Sequence, residues 1–243
     1  MAYKLKVTYG EEEIASRIFD DSTQITLNTS GKLATGNITI QCEKELSRIG
    51  GRIFYDDGGN GATYTFYDAN KNVITNQTVT SLANAVYYKV SGTPTKDRWY
   101  VYDNTTHTTG GVPVTGGITY GWMGWDKNMR GAIGITTDGI GRGKTNTATA
   151  LAFTSDWGNN DIWGYIKNCN NDNLNGCNDW FIMSQAEQDK LRASGLVNWY
   201  SSEYIWSSVE RSDNYAYNWY HYGSNWNSNS KDDNYGAFAG RSF

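Results

Sequence analysis

The sequence lacks several features that would place it in a common functional class. Its net charge is −4, its pI is about 5.2 and it has no basic patch, so nucleic-acid binding is not expected. It contains no run of 18 apolar residues, which argues against a membrane-spanning helix. The N-terminal stretch MAYKLKVTYGEEEI carries no apolar region, so we expect no secretory signal peptide. We therefore expect neither nucleic acid nor membrane as a partner.

Histidine and cysteine are also scarce. The two histidines, His107 and His221, and the three cysteines, Cys42, Cys169 and Cys177, do not have the spacing of a zinc site. Neither histidine accompanies a serine or cysteine in a recognisable nucleophile turn. A disulfide between Cys169 and Cys177 would close a short loop, but without a signal peptide reduced thiols are the better expectation. We expect no metal, no cofactor and no catalytic residue, and so no enzyme.

Two short motifs resemble ligand sites but miss a required residue. DGIGRGKTNT at 138–147 would need a glycine five residues before Gly143 to form a phosphate-binding loop, and Asp138 stands there. We interpret it as a glycine-rich turn. NDNLNGCNDWFI begins like a calcium loop at Asn171, but Ile182 occupies the position that requires a bidentate glutamate. An Asn/Gly-rich loop before a buried strand is the favoured interpretation.

The composition favours one larger domain, or one domain with a small appendage. With 10 Trp and 18 Tyr, the core is expected to contain rings as much as aliphatic side chains. YKLKVTY predicts a strand, and two more are expected around Gly31 and Gly36. A boundary at 47–51 would divide the chain into residues 1–49, a small β-rich attachment or oligomerisation segment, and residues 50–243, the main domain.

Helix signals are confined to the middle of the chain. NTATALAF predicts one short helix, and NDIWGYIKNC has apolar residues at helical spacing, with Asp161 or Asn160 as its cap. Ser184 and Glu187 form a capping-box pattern that starts a third helix, and Gly195 stands where a helix ends. RWYVYDNTT predicts a strand and HTTGGVPVTGG a loop, and strands and turns return after Gly195. The sequence therefore predicts an α+β fold, mostly β, with two or three short helices.

The tract from Tyr217 to Tyr235 is rich in Asn, Tyr and Ser and contains no aliphatic residue. Disorder is disfavoured because disordered segments are poor in aromatic residues. An ordinary Tyr-rich hairpin pair around Gly223 remains open, as does a binding surface, for which Tyr, Ser, Asn and Trp are typical. Four carboxylates in and near the tract are expected on a solvated face rather than in acid–base pairs: Glu210, Asp213, Asp232 and Asp233.

The order of the motifs carries a resemblance to a known family. GITTDGIGRGKTNT is followed by DIWGYIKNC, GCNDWFIMSQAEQDKL and YIWSSVERSDNYAY, and then by the Asn-rich tract, Lys231 and AFAGRSF. This order resembles the C-type-lectin-fold variable proteins of diversity-generating retroelements, a group related in fold to formylglycine-generating enzymes. The resemblance covers about residues 50–243 and is best in the final third, where Trp206-Ser207-Ser208 precedes the tract. The N-terminal TLNTSGKLATGNITI resembles segments of phage tail and fibre proteins.

The resemblance implies a C-type lectin fold and a hypervariable region at about 204–235. In such systems a reverse transcriptase misreads template adenines, which turns Asn codons into Tyr, Ser, Asp or His codons but never into stop codons. The implied ligand-binding, variable residues are Tyr204, Arg211, Asp213, Asn214, Tyr215, Asn218, Tyr220, Tyr222, Asn225, Trp226, Asn227, Asn229, Asp232, Asp233, Asn234 and Tyr235. Those expected to be exposed are Tyr215, Asn218, Tyr220, Tyr222, Asn225, Asn227, Asn229, Asp232, Asp233 and Asn234.

Tryptophan cannot arise from an Asn codon by adenine changes. Trp219, in a strand-like run, is therefore expected to belong to the scaffold, while the role of Trp226 stays open between scaffold and variable position. Trp180, Phe181, Trp206 and Phe238 are expected to supply the scaffold packing. Asp179, Trp180 and Phe181 stand before the capped helix, as a matching motif does in the family.

The function that the resemblance implies is diversified ligand binding, without enzymatic activity. The expected setting is a virion, at a phage tail that binds a host cell-surface receptor, protein or glycan, with the bacterial cytoplasm as the location before assembly. Residues 1–49 would attach the protein to the particle or to sister subunits, as a homo-oligomer such as a trimer. A formylglycine-generating-type enzyme is an alternative, but no reactive cysteine pair can be placed. A calcium-dependent sugar-binding lectin is another, but the Pro-containing loop of such lectins is missing around Pro94 and Pro113.

Overall fold

The protein is described from a computed structural model. The model describes the backbone of residues 2–9, 12–20, 38–44, 46–105, 107–109, 112–114, 118–197 and 204–243. Side chains are described for residues 46–105, 123–197 and 204–243.

The described elements confirm the predicted α+β class, with many strands and three short helices. The strands are β1 Ala2–Tyr9, β2 Glu12–Asp20, β3 Ile38–Lys44, β4 Ser47–Arg48, β5 Arg52–Asp56, β6 Thr63–Tyr67, β7 Val73–Ile74, β8 Tyr87–Ser91, β9 Trp99–Tyr102, β10 His107–Thr109, β11 Val112–Val114, β12 Ile118–Met123, β13 Phe181–Ile182, β14 Tyr204–Glu210, β15 Tyr215–Tyr220, β16 Asn225–Ser230 and β17 Tyr235–Ser242. The helices are α1 Arg142–Phe153, α2 Ile162–Asn171 and α3 Gln185–Ala193. Short 3-10 turns cover Ser81–Asn84 and Leu174–Gly176.

The strands form four sheets in the described part of the chain. The largest runs in the order β16-β15-β14-β17-β9-β5, and β12 and β13 also pair with β17. A second sheet has the order β4-β8-β6-β7, a third the order β2-β1-β3, and β10 and β11 form a two-stranded ribbon. The third sheet contains the predicted YKLKVTY strand and one of the two strands expected around Gly31 and Gly36. The other would lie in residues 21–37, outside the described residues.

The strand β17 organises the largest sheet. It pairs antiparallel with β12, β13 and β9, and parallel with β14 through Ile205↔Gly236 and Trp206↔Ala237. Small residues dominate its sequence YGAFAGRS, and nearly all of it is buried. A side chain at Gly240 would lie 2.7 Å from the Met183 side chain, so glycine permits the close packing at this crowded position.

Two of the predicted helices begin and end where the sequence signals stand. Ser184 caps α3 through the predicted capping box with Glu187, and Gly195 follows the helix with a φ of +65°. Asp161 occupies the N-cap position of α2, as expected, but its carboxylate does not cap the helix. It instead accepts hydrogen bonds from the backbone N–H groups of Lys127 (2.7 Å) and Gly158 (2.9 Å).

The helix α1 starts earlier than predicted. It begins at Arg142, directly after a glycine-rich turn in which Gly141 has a φ of +82°. The buried carboxylate of Glu187 accepts a hydrogen bond from the backbone N–H of Gly141 at 2.9 Å. Glu187 therefore accepts a hydrogen bond from a backbone N–H at the start of α1 and also forms the capping box at the start of α3. The structure confirms the glycine-rich turn only for the first part of 138–147, because residues 142–147 belong to α1.

The prediction of a loop for HTTGGVPVTGG is wrong for two three-residue segments. His107–Thr109 and Val112–Val114 pair antiparallel as β10 and β11. Near the predicted domain boundary, Ser47–Arg48 pairs with β8 and Ile49 is fully buried in the core of residues from 53 onward. The division of the chain into residues 1–49 and 50–243 stays a prediction.

The core confirms the expected richness in rings. The largest fully buried side chains are Trp99, Trp125, Trp163, Trp180 and Trp206. Three clusters make up the core: one beneath α1 and α2, one between α3 and the largest sheet, and one between β5, β9 and the four-stranded sheet. Among the described residues, no helix is long and apolar enough to cross a membrane.

Candidate ligand-binding face

Strands β14, β15 and β16 lie side by side and contain half of the predicted variable residues. β15 and β16 pair without a register break, from Tyr215↔Ser230 to Tyr220↔Asn225. β14 pairs with β15 through Tyr204↔Tyr220 and Trp206↔Asn218. Because successive side chains of a strand point to opposite sides, alternate residues of the Asn-rich tract separate into two sets.

One set forms what we call the tyrosine–asparagine face. Its members are the predicted variable residues Tyr204, Asn218, Tyr220, Asn225, Asn227, Asn229 and Tyr235. The ring of Tyr204 stacks on Tyr220 with centroids 4.7 Å apart and contacts Tyr235 at 4.6 Å. The asparagines of β16 lie beside these rings. The face thus combines rigid amphipathic rings with carboxamides that donate and accept hydrogen bonds.

Tyr235 crosses the face rather than pointing straight out. Its ring lies 4.8 Å from Trp206, yet its hydroxyl accepts a hydrogen bond from Nδ2 of Asn229, which is on β16. Since β14 and β15 separate β17 from β16 in the sheet, this hydrogen bond connects two strands that are not neighbours. Burial raises the pKa of Tyr235 to about 12, so its hydroxyl stays protonated at neutral pH.

The turns between the strands contain the other exposed candidates. Tyr222, in the β15–β16 turn, exposes 71% of its surface. The remaining predicted variable residues of the turns are exposed or half-buried: Arg211, Asp213, Asn214, Asp232, Asp233 and Asn234. Nζ of Lys127 donates to Oδ1 of Asn234 at 2.8 Å, a contact that ties the β16–β17 turn to the segment after β12 and that sequence reasoning missed.

Two predicted variable residues lie on the opposite, helix-facing side of the strands. Trp226 packs edge-on against Trp219 at 5.5 Å and donates from Nε1 to Asp189 at 3.0 Å. The guanidinium of Arg192 lies 3.2 Å from the Trp219 ring centroid, and burial lowers its pKa to about 10. Tyr215 also alternates with the face residues and is 48% exposed. Trp226 thus has scaffold contacts to α3, and alternation alone could have separated it from its Asn neighbours.

A buried ion pair ties two of the turns together. Lys231 and Glu210 form a salt bridge at the ends of β16 and β14, and both are almost completely buried. Nζ of Lys231 also donates to the backbone oxygen of Gly131 at 2.7 Å, and Glu210 accepts backbone N–H bonds from residues 133–135. The expected solvated position of Glu210 is therefore wrong. Asp213 and Asp232 are exposed as expected, and Asp233 is half-buried.

The predicted scaffold residues are buried. Trp180, Phe181, Trp206 and Phe238 expose at most 2% of their surface, and Trp219 exposes 8%, which confirms their assignment to the packed interior. Nε1 of Trp206 donates to the backbone oxygen of Met123 at 3.0 Å. Buried side chains of this kind anchor the strands, so the exposed side chains of the tract are not needed for anchoring.

The exposure expected for Asn218 is wrong. Its side chain lies on the tyrosine–asparagine face by register but exposes 0% of its surface. Neither Nδ2 nor Oδ1 has a hydrogen-bond partner among the described residues. Strand alternation could have placed Asn218 on this face, but nothing in the sequence shows that its side chain is buried.

The described residues offer little for catalysis or metal binding. They contain no group of three or more His, Cys, Asp or Glu side chains that could hold a metal ion. Cys169 and Cys177 are buried free thiols, and burial raises both pKa values, that of Cys169 to about 12. Thiols of this kind remain protonated and are poor nucleophiles at neutral pH.

No family model matches this chain, and no curated protein or solved structure is significantly similar to it. Its function is therefore inferred from the geometry and from the motif order.

Proposed function

We propose that this protein is a diversified ligand-binding protein whose tyrosine–asparagine face, with the adjoining turns, contacts the ligand. The observation that carries the proposal is the separation of the Asn-rich tract by strand alternation. Asn225, Asn227 and Asn229 share one side with the tyrosine rings, while Trp219 and Trp226 of the same two strands pack on α3. On β16, the asparagines whose codons can be diversified thus lie on one side of the strand and the packed Trp226 on the other.

The chemistry of the face supports binding rather than catalysis. Tyrosine supplies contact area at low entropic cost, and asparagine and serine adapt their hydrogen bonds to different partners. The turns add side chains of both charges at the rim of the face, from Arg211 to Asp232. Such a surface suits a macromolecular ligand, which covers many side chains at once.

Buried contacts hold the strands of the tyrosine–asparagine face, which supports the idea that its exposed side chains can be exchanged without unfolding the protein. The Glu210–Lys231 pair and the hydrogen bond from Nε1 of Trp206 to Met123 are formed by buried side chains. Replacing exposed residues usually changes the free energy of unfolding by within about 0.5 kcal/mol each. A face held in this way accepts many side-chain sets on one backbone, which is what diversification requires.

The finer fold and the biological setting belong to the same proposal. We place the chain in the C-type lectin fold on the motif order together with the mixed sheet and three short helices. The setting is a phage tail that binds a host surface receptor, with residues 1–49 attaching the protein to the particle or to sister subunits. A formylglycine-generating activity is less well supported, because the described cysteines are buried and their thiol pKa values are raised.

The DNA that flanks the coding sequence tests the proposal directly. We expect a near-copy of the tract beside a reverse-transcriptase gene, with mismatches at adenines. The mismatches should fall in codons of the face and turns, such as those for Tyr220, Tyr222 and Asn227, and should spare Trp219 and Lys231. The absence of such a copy, or mismatches spread equally over both groups of codons, would overturn the proposal.

A protein experiment tests the same division. Nine of the ten positions predicted to be exposed, all but Asn218, are replaced together by Ser. Cooperative thermal unfolding should persist because these side chains lie outside the core. A variant that no longer unfolds cooperatively would show that the tract is structural.

A further inference from the structure

An open cleft of about 540 Å³ lies beside β5 and β9, at the end of the largest sheet opposite to β16. It is bordered by the segment that enters β5, the β6–β7 turn and the 3-10 turn Ser81–Asn84. Its volume is within the range of about 300–1,000 Å³ that is typical of small-molecule sites. We call it the asparagine cleft, after the most frequent of its polar lining residues, which are Arg48, Asp68, Asn70, Asn84, Asn104 and Asn175.

The rest of the lining is made of small residues. It consists of glycine, alanine and one valine, so short side chains leave the volume of the cleft free. Every lining residue lies outside the region 204–235 in which variable residues are predicted. Under the proposed function, the cleft therefore stays the same when the tyrosine–asparagine face changes.

Arg48 supplies a cation whose position at the cleft is fixed by packing. Its backbone oxygen accepts a hydrogen bond from Nη1 of the buried Arg241 at 2.7 Å. A side chain at Gly176 would lie 2.7 Å from Cδ of Arg48, so glycine lets the arginine stem pack against this loop. The guanidinium carbon lies 5.6 Å from the ring centroid of Tyr87, within the range of a cation–π contact.

The charge of Arg48 is not used inside the protein. In the described part of the chain, no carboxylate forms an ion pair with it, although its side chain is exposed. Asp68, the acidic residue of the cleft, is engaged within its own turn. Its Oδ1 accepts from the backbone N–H groups of Asn70 and Asn72, both at 2.8 Å, and its Oδ2 accepts from Nδ2 of Asn72 at 3.1 Å. The guanidinium is thus available to a planar anion such as a carboxylate, which it can bind through parallel N–H donors.

The carboxamides around Arg48 are available as well. Asn70, Asn84 and Asn104 are exposed, and within the described residues their side chains form no hydrogen bond. The carboxamide of Asn175 is positioned by its Nδ2, which donates to Oδ1 of the buried Asp103 at 3.0 Å. Asn175 belongs to the Asn/Gly-rich loop that begins like a calcium site, and this contact gives the loop a place in the cleft.

These groups match a ligand with many hydroxyls and one carboxylate. Each carboxamide both donates and accepts hydrogen bonds, as a sugar hydroxyl does. The lining contains no aromatic ring, which disfavours a flat aromatic ligand. A peptide C-terminus also carries a carboxylate, but its last side chain would meet carboxamides rather than an apolar pocket. We propose that the asparagine cleft binds an acidic sugar, a hexose unit whose carboxylate pairs with Arg48 and whose hydroxyls bind the carboxamides.

Such a site would add a constant contact to a variable one. A weak site for an acidic sugar and a second site on the same molecule reinforce each other when one target surface offers both ligands. The cleft itself does not require the proposed function, because its residues and its chemistry are separate from the tyrosine–asparagine face.

The first test is an NMR titration of the full chain with methyl glucuronide. The backbone amide signals of Gly50 and Gly51, which line the cleft, should shift. Methyl glucoside, which has the same ring without the carboxylate, is the matched ligand and should bind about tenfold more weakly, because it lacks the charge-assisted pair with Arg48. Equal affinity for the two sugars, or no shift with either, would overturn the proposal.

The second test changes the cation. Arg48→Gln should weaken binding of methyl glucuronide about tenfold, whereas Arg48→Lys, which keeps the charge without the planar fork, should lose less. Arg142→Gln, at an exposed arginine that does not line the cleft, removes the same charge and should bind like the parent. Thermal unfolding shows whether each variant is folded. Unchanged binding by Arg48→Gln, or an equal loss in both glutamine variants, contradicts the assignment.

A third variant keeps the test decisive if Arg48→Gln fails to fold. The double variant Asn84→Ala/Asn104→Ala removes two exposed carboxamides and leaves Arg48 in place. It should bind methyl glucuronide more weakly than the parent and acetate equally well. If its affinity for the sugar equals that of the parent, the carboxamides do not recognise hydroxyls and the proposal fails.

Two further ligands separate the possible sources of the carboxylate. Acetate carries the anion alone, and N-acetylalanine represents a peptide C-terminus. If acetate binds as tightly as methyl glucuronide, the cleft takes an adventitious ion only, and if N-acetylalanine binds more tightly, the partner is a peptide. Either result overturns the proposal and leaves the proposed function, which the flanking DNA tests, untouched.

Discussion

The two sides of the β15–β16 hairpin have similar strands and opposite roles. On the helix-facing side, Trp219 and Trp226 are held by Arg192 and Asp189 of α3 through ring, cation and hydrogen-bond contacts. On the other side, the asparagines of β16 make few contacts and remain accessible. The difference shows that β16 can anchor through Trp226 and leave Asn225 and Asn227 exposed, although Ala216 and Asn218 of β15 are buried on the same side as these asparagines. Under the proposed function, a hypervariable tract could run through a folded sheet in this way.

The largest expected effect concerns the buried member of the face. Trp206→Ala should lower the free energy of unfolding by roughly 3–5 kcal/mol, because it removes a fully buried ring from the core. Chemical denaturation monitored by circular dichroism measures this loss. A change below about 1 kcal/mol would mean that the whole face, and not only its exposed members, is dispensable for folding.

Disrupting the buried Glu210–Lys231 ion pair should have the second-largest effect on the free energy of unfolding. Lys231→Met leaves Glu210 buried without its cation, so we expect a loss of about 3 kcal/mol. The control is Lys127→Met, which removes only a cation near the surface and should cost about 0–1 kcal/mol. Equal losses for the two variants would show that the Glu210–Lys231 pair does not fix the turns.

The pH dependence of stability should report on α3, which supports the helix-facing side. Burial raises the pKa of Glu187 from 4.5 to about 7, so the folded protein binds this proton more tightly than the unfolded chain. The resulting stabilisation is complete below about pH 4.5 and is lost as the pH rises towards 7. The free energy of unfolding should fall by about 1–3 kcal/mol over this range.

Chemical denaturation at several pH values measures how the free energy of unfolding depends on pH. In Glu187→Gln, whose side chain cannot titrate, the contribution of Glu187 to this dependence should be lost. A parallel slope in the two proteins would show that other groups cause the dependence.

The smallest expected changes in stability compare a residue on the helix-facing side of the hairpin with an exposed residue of its turn. Trp226→Ala should cost about 1–2 kcal/mol, because it loses contacts with Trp219, Arg192 and Asp189. Tyr222→Ala, at an exposed turn, should change stability by within about 0.5 kcal/mol. Thermal melts of both variants make the comparison. If Tyr222→Ala costs more than Trp226→Ala, Trp226 belongs with the variable residues.

Local signals predicted much of this fold. The capping box at Ser184, the glycine at position 195 and the apolar spacing of α2 depend on residues a few positions apart, and all three were found. The ribbon β10–β11 was missed although its paired Thr and Val residues favour strands, because the glycines between them were interpreted as loop.

Contacts between distant segments could not be predicted in the same way. Glu210 and Lys231 stand 21 residues apart, and neither sequence neighbourhood indicates burial. Asn218 resembles its exposed neighbours in sequence, yet its side chain is fully buried. The alternation of the tract was visible in the sequence, but which side packs against α3 depends on tertiary structure.

The position of β17 has a consequence for biosynthesis. This strand joins β14, β12, β13 and β9, and it follows the Asn-rich tract in the chain. A ribosome must therefore translate the whole tract in the correct reading frame before the largest sheet can close. A copy with a frameshift or a premature stop in the tract would lack β17 and leave β14 and β9 without their shared neighbour. Under the proposed function, errors of diversification would thus yield unfolded chains, which cellular proteases remove, rather than stable proteins with a defective face.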